Sequence, residues 1–282
     1  MKLRRILTPF SVERELRILQ WNCNGIRPKA SRLREYMEQE RVDVALIQET
    51  HLNPHHGFTM GPDFQVFRKD RISHKGGVMT VFSSKINRVH RFHINHPPDV
   101  EAQSWIIRVS GFGTIFLHNW YCAPVRTRSK QFSFQFIEPY FKQQSLLLGD
   151  FNSKSPWWGY KGTDLLGRSL MSFVRKNKIV FLNLRGLSTL RQGTTPDLSL
   201  ATADIADRCS WRPGEYLGSD HRTILISINL KTNIEHLNRI VPVNNKRLYR
   251  RKNMIRRISK LFKNFLYGFV KYFYITAFRV RK

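Results

Sequence analysis

Residues 145–152 read SLLLGDFN, an apolar run that ends in a glycine, an acid and an amide. Three consecutive leucines bounded by polar residues are typical of a short strand that is buried on both faces. A Gly-Asp pair after such a run is often only a turn, in which the aspartate bonds its own backbone. The stretch therefore predicts a buried strand over residues 145–148, with Asp150 and Asn152 just beyond its end.

Further strands and two helices are predicted on both sides of this run. Apolar runs rich in β-branched residues predict strands at residues 16–22, 42–47, 78–82, 179–184, 197–201 and 223–229, and a Gly-Phe-Gly turn predicts a hairpin at 104–110 and 114–121. Apolar residues at helical spacing predict helices at 31–40 and 164–176. Strands mixed with few helices indicate an α/β layered domain.

Polar side chains recur where the predicted strands begin or end. They are Asn22, Asn24, Glu49, Tyr121, Asp150, Asn152, Asp197, Asp220 and His221. Ligand sites in α/β proteins are usually built at strand ends, and carboxylate and amide oxygens suit Mg²⁺ or Mn²⁺. One histidine beside acids, without a second histidine or a cysteine partner, argues against zinc. Each residue alone has an ordinary explanation as a turn, surface or core residue, so the indication comes from the set.

The order of the blocks WNxNG, QET, YxAP, GDFN, TPDL and SDH resembles the endonuclease/exonuclease/phosphatase superfamily. Within it, the blocks are similar to the apurinic-endonuclease-like endonuclease domain of non-LTR retrotransposons, particularly the jockey-like group. The resemblance covers about residues 16–230 and implies a four-layer α/β sandwich, with two mixed β-sheets packed face to face and helices outside. No Tyr-x-Asp-Asp polymerase signature is present, so we expect a chain truncated before the reverse transcriptase, or a stand-alone derivative.

The resemblance also implies a metal site. Glu49 corresponds to the principal ligand of a divalent cation, Mg²⁺ or Mn²⁺, and Asn22 to an asparagine that contacts metal or phosphate. Asp220 corresponds to a residue near the metal. Asn24 stands where many relatives carry an aspartate, so its assignment as a ligand is the weakest of the four.

Five residues correspond to the catalytic groups of the superfamily. Asp150 and Asn152 match the pair that orients or activates the attacking water and holds the phosphate, and Tyr121 matches a tyrosine that contacts the phosphate. His221 matches the histidine at the scissile phosphate, and Asp197 matches the acid that orients this histidine. The implied activity is a metal-dependent DNA endonuclease that nicks a phosphodiester bond and leaves a 3′-hydroxyl.

The net charge of +28 is concentrated at one end of the chain. Residues 231–282 contain 15 lysines and arginines and one acid, and a field of this sign attracts polyanions. We therefore predict an N-terminal extension (1–15), an endonuclease/exonuclease/phosphatase domain (16–230) and a basic aromatic C-terminal extension (231–282) that is helical or disordered. DNA is the expected partner, with element RNA or an anionic membrane as alternatives for the tail, and we expect a monomer.

Composition excludes several other classes of protein. A hydrophobic content of 41% with 12% aromatics is too high for a disordered basic chain. No apolar run reaches 18 residues, the N-terminus is a poor secretory signal, and three scattered cysteines do not form a disulfide framework. We expect a nuclear location, inferred from the substrate, or otherwise a cytoplasmic one, and not secretion.

Two alternative functions stay open. The first keeps the fold and changes the substrate, giving a phosphomonoesterase or phospholipase that acts on inositol phosphates or sphingomyelin. The second is a catalytically inactive nucleic-acid-binding remnant. The positive charge favours DNA over the first, and the intact acids and histidine argue against the second. Loop residues Arg126, Arg128 and Lys130 are candidate DNA contacts, as are Trp157 and Trp158, although we expect at least one of these tryptophans to close its loop onto the core.

Overall fold

The computed structural model describes residues 15–71, 75–86, 89–124, 133–141 and 143–230. The chain divides into two units between Lys231 and Thr232, and all described residues belong to the first. The C-terminal extension, residues 1–14 and the loop cations at 126, 128 and 130 lie outside the described residues, so the predictions made for them stay predictions.

Twelve strands and three short or medium helices are found in the described ranges. The strands are β1 (Glu15–Asn22), β2 (Val44–Gln48), β3 (Phe64–Lys69), β4 (Val78–Ser83), β5 (Val89–Phe92), β6 (Val100–Val109), β7 (Gly113–Cys122), β8 (Ser145–Asp150), β9 (Ile179–Phe181), β10 (Asp197–Thr202), β11 (Cys209–Pro213) and β12 (Ile224–Asn229). The helices are α1 (Ala30–Gln39), α2 (Leu165–Lys176) and α3 (Ala203–Ala206), with 3-10 helices at Arg27–Lys29, Phe134–Tyr140 and Pro156–Trp158. Among the described residues, no helix is long and apolar enough to cross a membrane.

The strands form two six-stranded sheets of mixed direction. The first has the order β11-β12-β1-β2-β4-β3 and the second the order β5-β6-β7-β8-β10-β9. In the first sheet only β1 and β2 are parallel, and in the second only β7 and β8 are parallel.

Alternation along the strands explains how the layers pack. Alternate side chains point to the inner face of each sheet. Those of the two inner faces, such as Leu16 and Ile18 of β1 and Leu146 and Leu148 of β8, meet in a single buried cluster between the sheets. Side chains on the outer faces of the sheets form two further clusters, one beneath α1 and one beneath α2 and the 3-10 helix at Phe134–Tyr140. The predicted four-layer α/β sandwich is therefore confirmed, with sheets inside and helices outside.

The strand ends that carry the predicted site residues lie at a common edge of the two sheets. Asp150 lies opposite Tyr121 in the parallel pair β7–β8 and opposite Asp197 in the antiparallel pair β8–β10. In the first sheet, Asn22 at the end of β1 pairs with Gln48 at the end of β2. A cross-sheet hydrogen bond, from Gln20 Nε2 to the Gly149 carbonyl at 2.9 Å, ties the two edges together.

Gly149 is part of β8 rather than of a turn, although Asp150 does accept a local backbone N–H, that of Asn152. A Cβ atom at this position would lie 1.8 Å from the Trp120 carbonyl oxygen of the neighbouring strand. Only glycine allows the two backbones to approach this closely. The strand consequently continues to Asp150, and the Asp150 carboxylate lies at the edge of the sheet.

The interior strands and the two longer helices were predicted, whereas three edge strands were not. The missed strands β3, β5 and β11 lie at edges of the two sheets, and their residues are mostly half-buried or exposed. Edge strands need less apolar surface than central ones, so their sequences carry only a weak strand pattern.

Candidate active site

The loops that follow β1, β2 and β8 hold site residues in unusual backbone conformations. Asn24, Glu49 and Asn152 all have left-handed φ values, of 44°, 52° and 44°, a region that few residues other than glycine adopt. The Gly25 N–H donates to the Glu49 carbonyl at 2.8 Å, which ties two of these loops together. Residues in sparsely populated conformations cluster at functional sites, where the surrounding structure holds them in place.

The buried Asn22 amide joins two carboxylates that belong to different sheets. Its Nδ2 donates to Glu49 Oε1 at 3.0 Å and to Asp150 Oδ2 at 2.8 Å. Asn22 Oδ1 accepts the N–H of Asn24 at 3.1 Å. Three residues that the sequence assigned to the site are thus brought within hydrogen-bonding reach of one another.

Asp150 is a buried acid, and both of its carboxylate oxygens accept hydrogen bonds. Its Oδ1 accepts the Asn152 N–H at 2.9 Å, and Oδ2 accepts Asn152 Nδ2 at 3.2 Å in addition to Asn22. Burial, together with the nearby charge of Asp197, still raises the pKa of Asp150 well above that of an ordinary aspartate. Asp150 therefore takes up a proton more readily than an exposed aspartate does.

His221 and Asp197 form a buried pair beside Asp150. His221 Nδ1 lies 2.8 Å from Asp197 Oδ2. Burial disfavours the imidazolium, but the carboxylate of Asp197 and, more weakly, those of Asp150 and Asp220 outweigh burial and raise the pKa of His221 to about 9. His221 is therefore cationic at neutral pH, with Nδ1 bonded to Asp197. Its Nε2 has no hydrogen-bond partner in the described part of the chain.

Tyr121 is buried one strand away from Asp150, and its hydroxyl group interacts with the carboxylate of Glu49. Burial, and then the negative charges of Glu49 and Asp150, raise the pKa of Tyr121 above its usual value. The side chain is therefore a neutral phenol that can donate one hydrogen bond into the site.

Asn24 and Asp220 lie at the exposed rim and contact each other instead of Glu49. Asn24 Nδ2 is 3.4 Å from Asp220 Oδ1, and the Ser219 hydroxyl donates to the same carboxylate at 3.3 Å. Burial opposes ionisation of Asp220, but His221 and these hydrogen bonds outweigh it and lower its pKa. Among the predicted metal ligands, Glu49 and Asn22 therefore form one contact pair, and Asp220 and Asn24 form another.

Several supporting residues were not predicted from the sequence. His51 Nε2 lies 3.2 Å from Glu49 Oε2, the carboxylate oxygen that Asn22 does not contact. Lys29 Nζ donates to the carbonyls of Cys23, Asn24 and Gly25 at 2.7, 2.7 and 3.0 Å, and so holds the loop that follows β1. The position of His51, two residues after Glu49, was the sequence feature that could have indicated its contact with Glu49. No local pattern marks the role of Lys29.

Two overlapping sets of residues could hold a divalent cation. Asp150, Asp197 and His221 offer ligand atoms within 4.8 Å of one another, but His221 Nδ1 and Asp197 Oδ2 already satisfy each other as an ion pair. Glu49 and Asp150 form the second set, in which both carboxylates contact the Asn22 amide, and carboxylate oxygens are the ligands that Mg²⁺ and Mn²⁺ prefer.

The two tryptophans after GDFN have different environments. Trp158 is buried, and its Nε1 donates to the Ser153 carbonyl at 2.9 Å, so it closes the loop onto the core as expected. Trp157 is 60% exposed. It belongs to a 3-10 helix that Ser155 caps by accepting the Trp157 N–H at 3.3 Å.

Comparison with known proteins agrees with this fold. Residues 115–225 match the family described as endonuclease-reverse transcriptase, while none of the curated proteins compared with the chain matches it. The endonuclease domain of TRAS1, a telomere-specific non-LTR retrotransposon, is 22% identical with a TM-score of 0.59, over 77% of this chain and 100% of that domain. The AP endonuclease LMAP from Leishmania major is 18% identical with a TM-score of 0.61, over 77% and 88% of the two chains. The 3′-5′ exonuclease NExo from Neisseria meningitidis is 17% identical with a TM-score of 0.56, over 76% and 100%.

At these identities the solved structures establish the fold, and the family match adds the sequence relationship. The resemblance predicted from the six blocks is therefore confirmed as a similarity: the chain has the fold of the endonuclease/exonuclease/phosphatase superfamily, and residues 115–225 match the endonuclease-reverse transcriptase family. Within that superfamily it resembles the apurinic-endonuclease-like endonucleases of non-LTR retrotransposons. The narrower jockey-like assignment stays a prediction.

Proposed function

We propose that this protein is a metal-dependent DNA endonuclease, derived from a non-LTR retrotransposon polyprotein, that nicks phosphodiester bonds and leaves a 3′-hydroxyl. The observation that carries the proposal is the contact of Asn22 with both Glu49 and Asp150 beside the ionised His221–Asp197 pair. This arrangement combines a set of oxygen donors for a cation, a basic carboxylate and a fixed cationic donor in one place.

The cation site would centre on the Glu49 carboxylate, which the Asn22 amide contacts. A bound Mg²⁺ or Mn²⁺ would neutralise charge on the phosphate oxygens and make the phosphorus more open to attack. Asn24 and Asp220 lie at the rim, where they suit a contact with the substrate or with metal-bound solvent.

Asp150 is the proposed general base. Burial and then the nearby Asp197 raise its pKa, and such a group accepts a proton from water more readily than an exposed aspartate does. The Asn152 N–H and amide fix the orientation of this carboxylate through Oδ1 and Oδ2. The attacking water would therefore meet a base that is already oriented before substrate binds.

His221 is the proposed donor to the scissile phosphate. Because Asp197 holds Nδ1, the protonated ring presents Nε2–H as a charged hydrogen-bond donor, which stabilises the additional negative charge of the pentacoordinate state. Tyr121, kept neutral, would donate a second hydrogen bond to the phosphate.

DNA is proposed as the substrate on the basis of charge and of the relatives. The chain carries a net charge of +28, which favours a polyanion over a small phosphomonoester or a lipid headgroup. The proteins of similar structure include an endonuclease domain, an AP endonuclease and a 3′-5′ exonuclease. A nuclear location follows from this substrate as part of the same proposal.

A nicking assay with supercoiled plasmid tests the proposal. The purified full chain is expected to nick plasmid with Mg²⁺ and to lose activity in a chelator, and the nicks should be extended by a DNA polymerase if they carry a 3′-hydroxyl. Glu49→Gln and His221→Ala should each lower the rate by on the order of 10²–10³, whereas the matched exposed controls Glu35→Gln and His55→Ala should not.

Parallel substrates separate the alternatives. Turnover of an inositol phosphate but not of plasmid would replace the nuclease by a phosphatase of the same fold. An abasic oligonucleotide measures how far apurinic-site cleavage contributes. Binding of DNA without turnover of any substrate would identify an inactive nucleic-acid-binding remnant and would refute the proposed function.

A further inference from the structure

Two arginines stack on one tyrosine beside the segment that carries Asp220 and His221. The guanidinium carbon of Arg191 lies 4.3 Å from the centroid of the Tyr216 ring, and that of Arg222 lies 5.2 Å from it. We call these three residues the arginine stack. Stacking on an aromatic face fixes the plane of a guanidinium group and leaves its N–H edges free to bind an anion.

Backbone hydrogen bonds hold the arginine stack next to the active site. The Arg191 N–H donates to the Asp220 carbonyl at 3.1 Å, and the Arg222 N–H donates to the Thr189 carbonyl at 2.7 Å. Leu190 and His221 form the β-bridge between these two contacts. The stack is therefore anchored to the same few residues that position the proposed phosphate donor.

The two guanidinium groups are not neutralised by nearby acids. Within the described ranges, neither Arg191 nor Arg222 forms an ion pair with a carboxylate, and the protein hydrogen bond found for the Arg222 side chain is from Nε to the Gly214 carbonyl at 3.1 Å. The acid nearest to Arg222 in the sequence, Asp220, is already bonded to Asn24 and Ser219. Two like charges that share one ring repel each other, and a bound anion relieves this repulsion.

We propose that the arginine stack is a binding site for a backbone phosphate of duplex DNA, separate from the phosphate that is cleaved. Arginine binds phosphate through two parallel N–H···O bonds, and Arg191 is exposed at the rim where a strand entering the site would pass. The stack would fix the position of the duplex without reading its sequence. This inference rests on the proposed function, because it takes DNA as the substrate.

Salt-dependent binding of a duplex tests the inference. In Arg191→Gln, the slope of log affinity against log salt concentration should fall by about 0.9, the value for one lost phosphate contact. Arg175→Gln removes the same charge from an exposed position at the end of α2 and should leave the slope unchanged. Tyr216→Leu keeps both charges but removes the ring, so it should weaken binding in the same direction as Arg191→Gln.

Equal slopes for Arg191→Gln and Arg175→Gln, in variants with wild-type thermal midpoints, would overturn the inference. Inorganic phosphate at constant ionic strength should displace DNA from the wild type more readily than from Arg191→Gln, and equal displacement from both would likewise overturn the inference. Plasmid nicking by the wild type is measured separately. If nicking is absent but the slopes differ as expected, the proposed function fails while the DNA-binding site stands.

Discussion

Protonation of the buried His118 is expected to make the protein lose stability in mild acid. His118 is fully buried in β7, where Nδ1 lies 2.9 Å from the Ser104 hydroxyl oxygen. The ring packs near Phe92 and Phe141, with centroid distances of 5.7 and 5.8 Å. Burial in this apolar pocket lowers the pKa of His118 to about 3.

The direction of the effect follows from proton linkage. The unfolded chain binds a proton at this residue below a pH of about 6.5, whereas the folded protein does so only near pH 3, so acid favours the unfolded state. Stability is therefore fully present above pH 6.5 and is lost as the pH falls towards 3. Between pH 7 and pH 5, the two pKa values give a loss of about 2 kcal/mol in the free energy of unfolding.

Urea denaturation of the wild type and of His118→Phe, at pH 7 and at pH 5, measures this loss. Phenylalanine keeps a ring in the pocket and removes the titrating group, so its pH-independent cost cancels when the two pH values are compared. The wild type should lose about 2 kcal/mol more than His118→Phe over this interval. The exposed control His55→Gln should behave as the wild type. Parallel losses in wild type and His118→Phe would show that the buried ring is protonated or hydrated, and the reasoning would be wrong.

The remaining predictions concern the close approach of β7 and β8 at Gly149, the two loop tryptophans and the metal site. Gly149→Ala should destabilise the fold by more than about 3 kcal/mol because its Cβ would overlap the Trp120 carbonyl; a soluble variant with a wild-type thermal midpoint would contradict this. Trp158→Ala should cost about 3–5 kcal/mol in urea denaturation, whereas Trp157→Ala, on the exposed side of the same turn, should change stability by less than about 0.5 kcal/mol. Mg²⁺ should raise the thermal midpoint of the wild type and not that of Glu49→Gln, and an equal rise in both would exclude Glu49 as a ligand.

Much of the fold was predictable because central strands must be apolar on both faces. The runs that became β1, β2, β4, β8, β10 and β12 are buried along most of their length, and such runs are visible in any sequence. The edge strands could not be predicted in this way. β3 and β5 have mostly half-buried or exposed side chains, and their strand conformation depends on pairing with β4 and β6.

The candidate site was partly predictable for a different reason. The sequence by itself determined which chemical groups are available: carboxylates, amides, a phenol and one imidazole at strand ends, in an order that resembles one superfamily. It also determined the excess of positive charge that favours DNA. Local residue types and their spacing are sufficient for these conclusions.

Only the tertiary structure decided which of these groups meet. Asn22 and Asp150 are 128 residues apart, yet the face-to-face packing of the two sheets brings their side chains to 2.8 Å. The same packing places Asn24 and Asp220 at the rim of the site. The β-bridge between Leu190 and His221 places Arg191 beside the site. Contacts of this kind depend on the register and separation of whole sheets, which are set by the sum of many buried side chains and not by the residues that form the site.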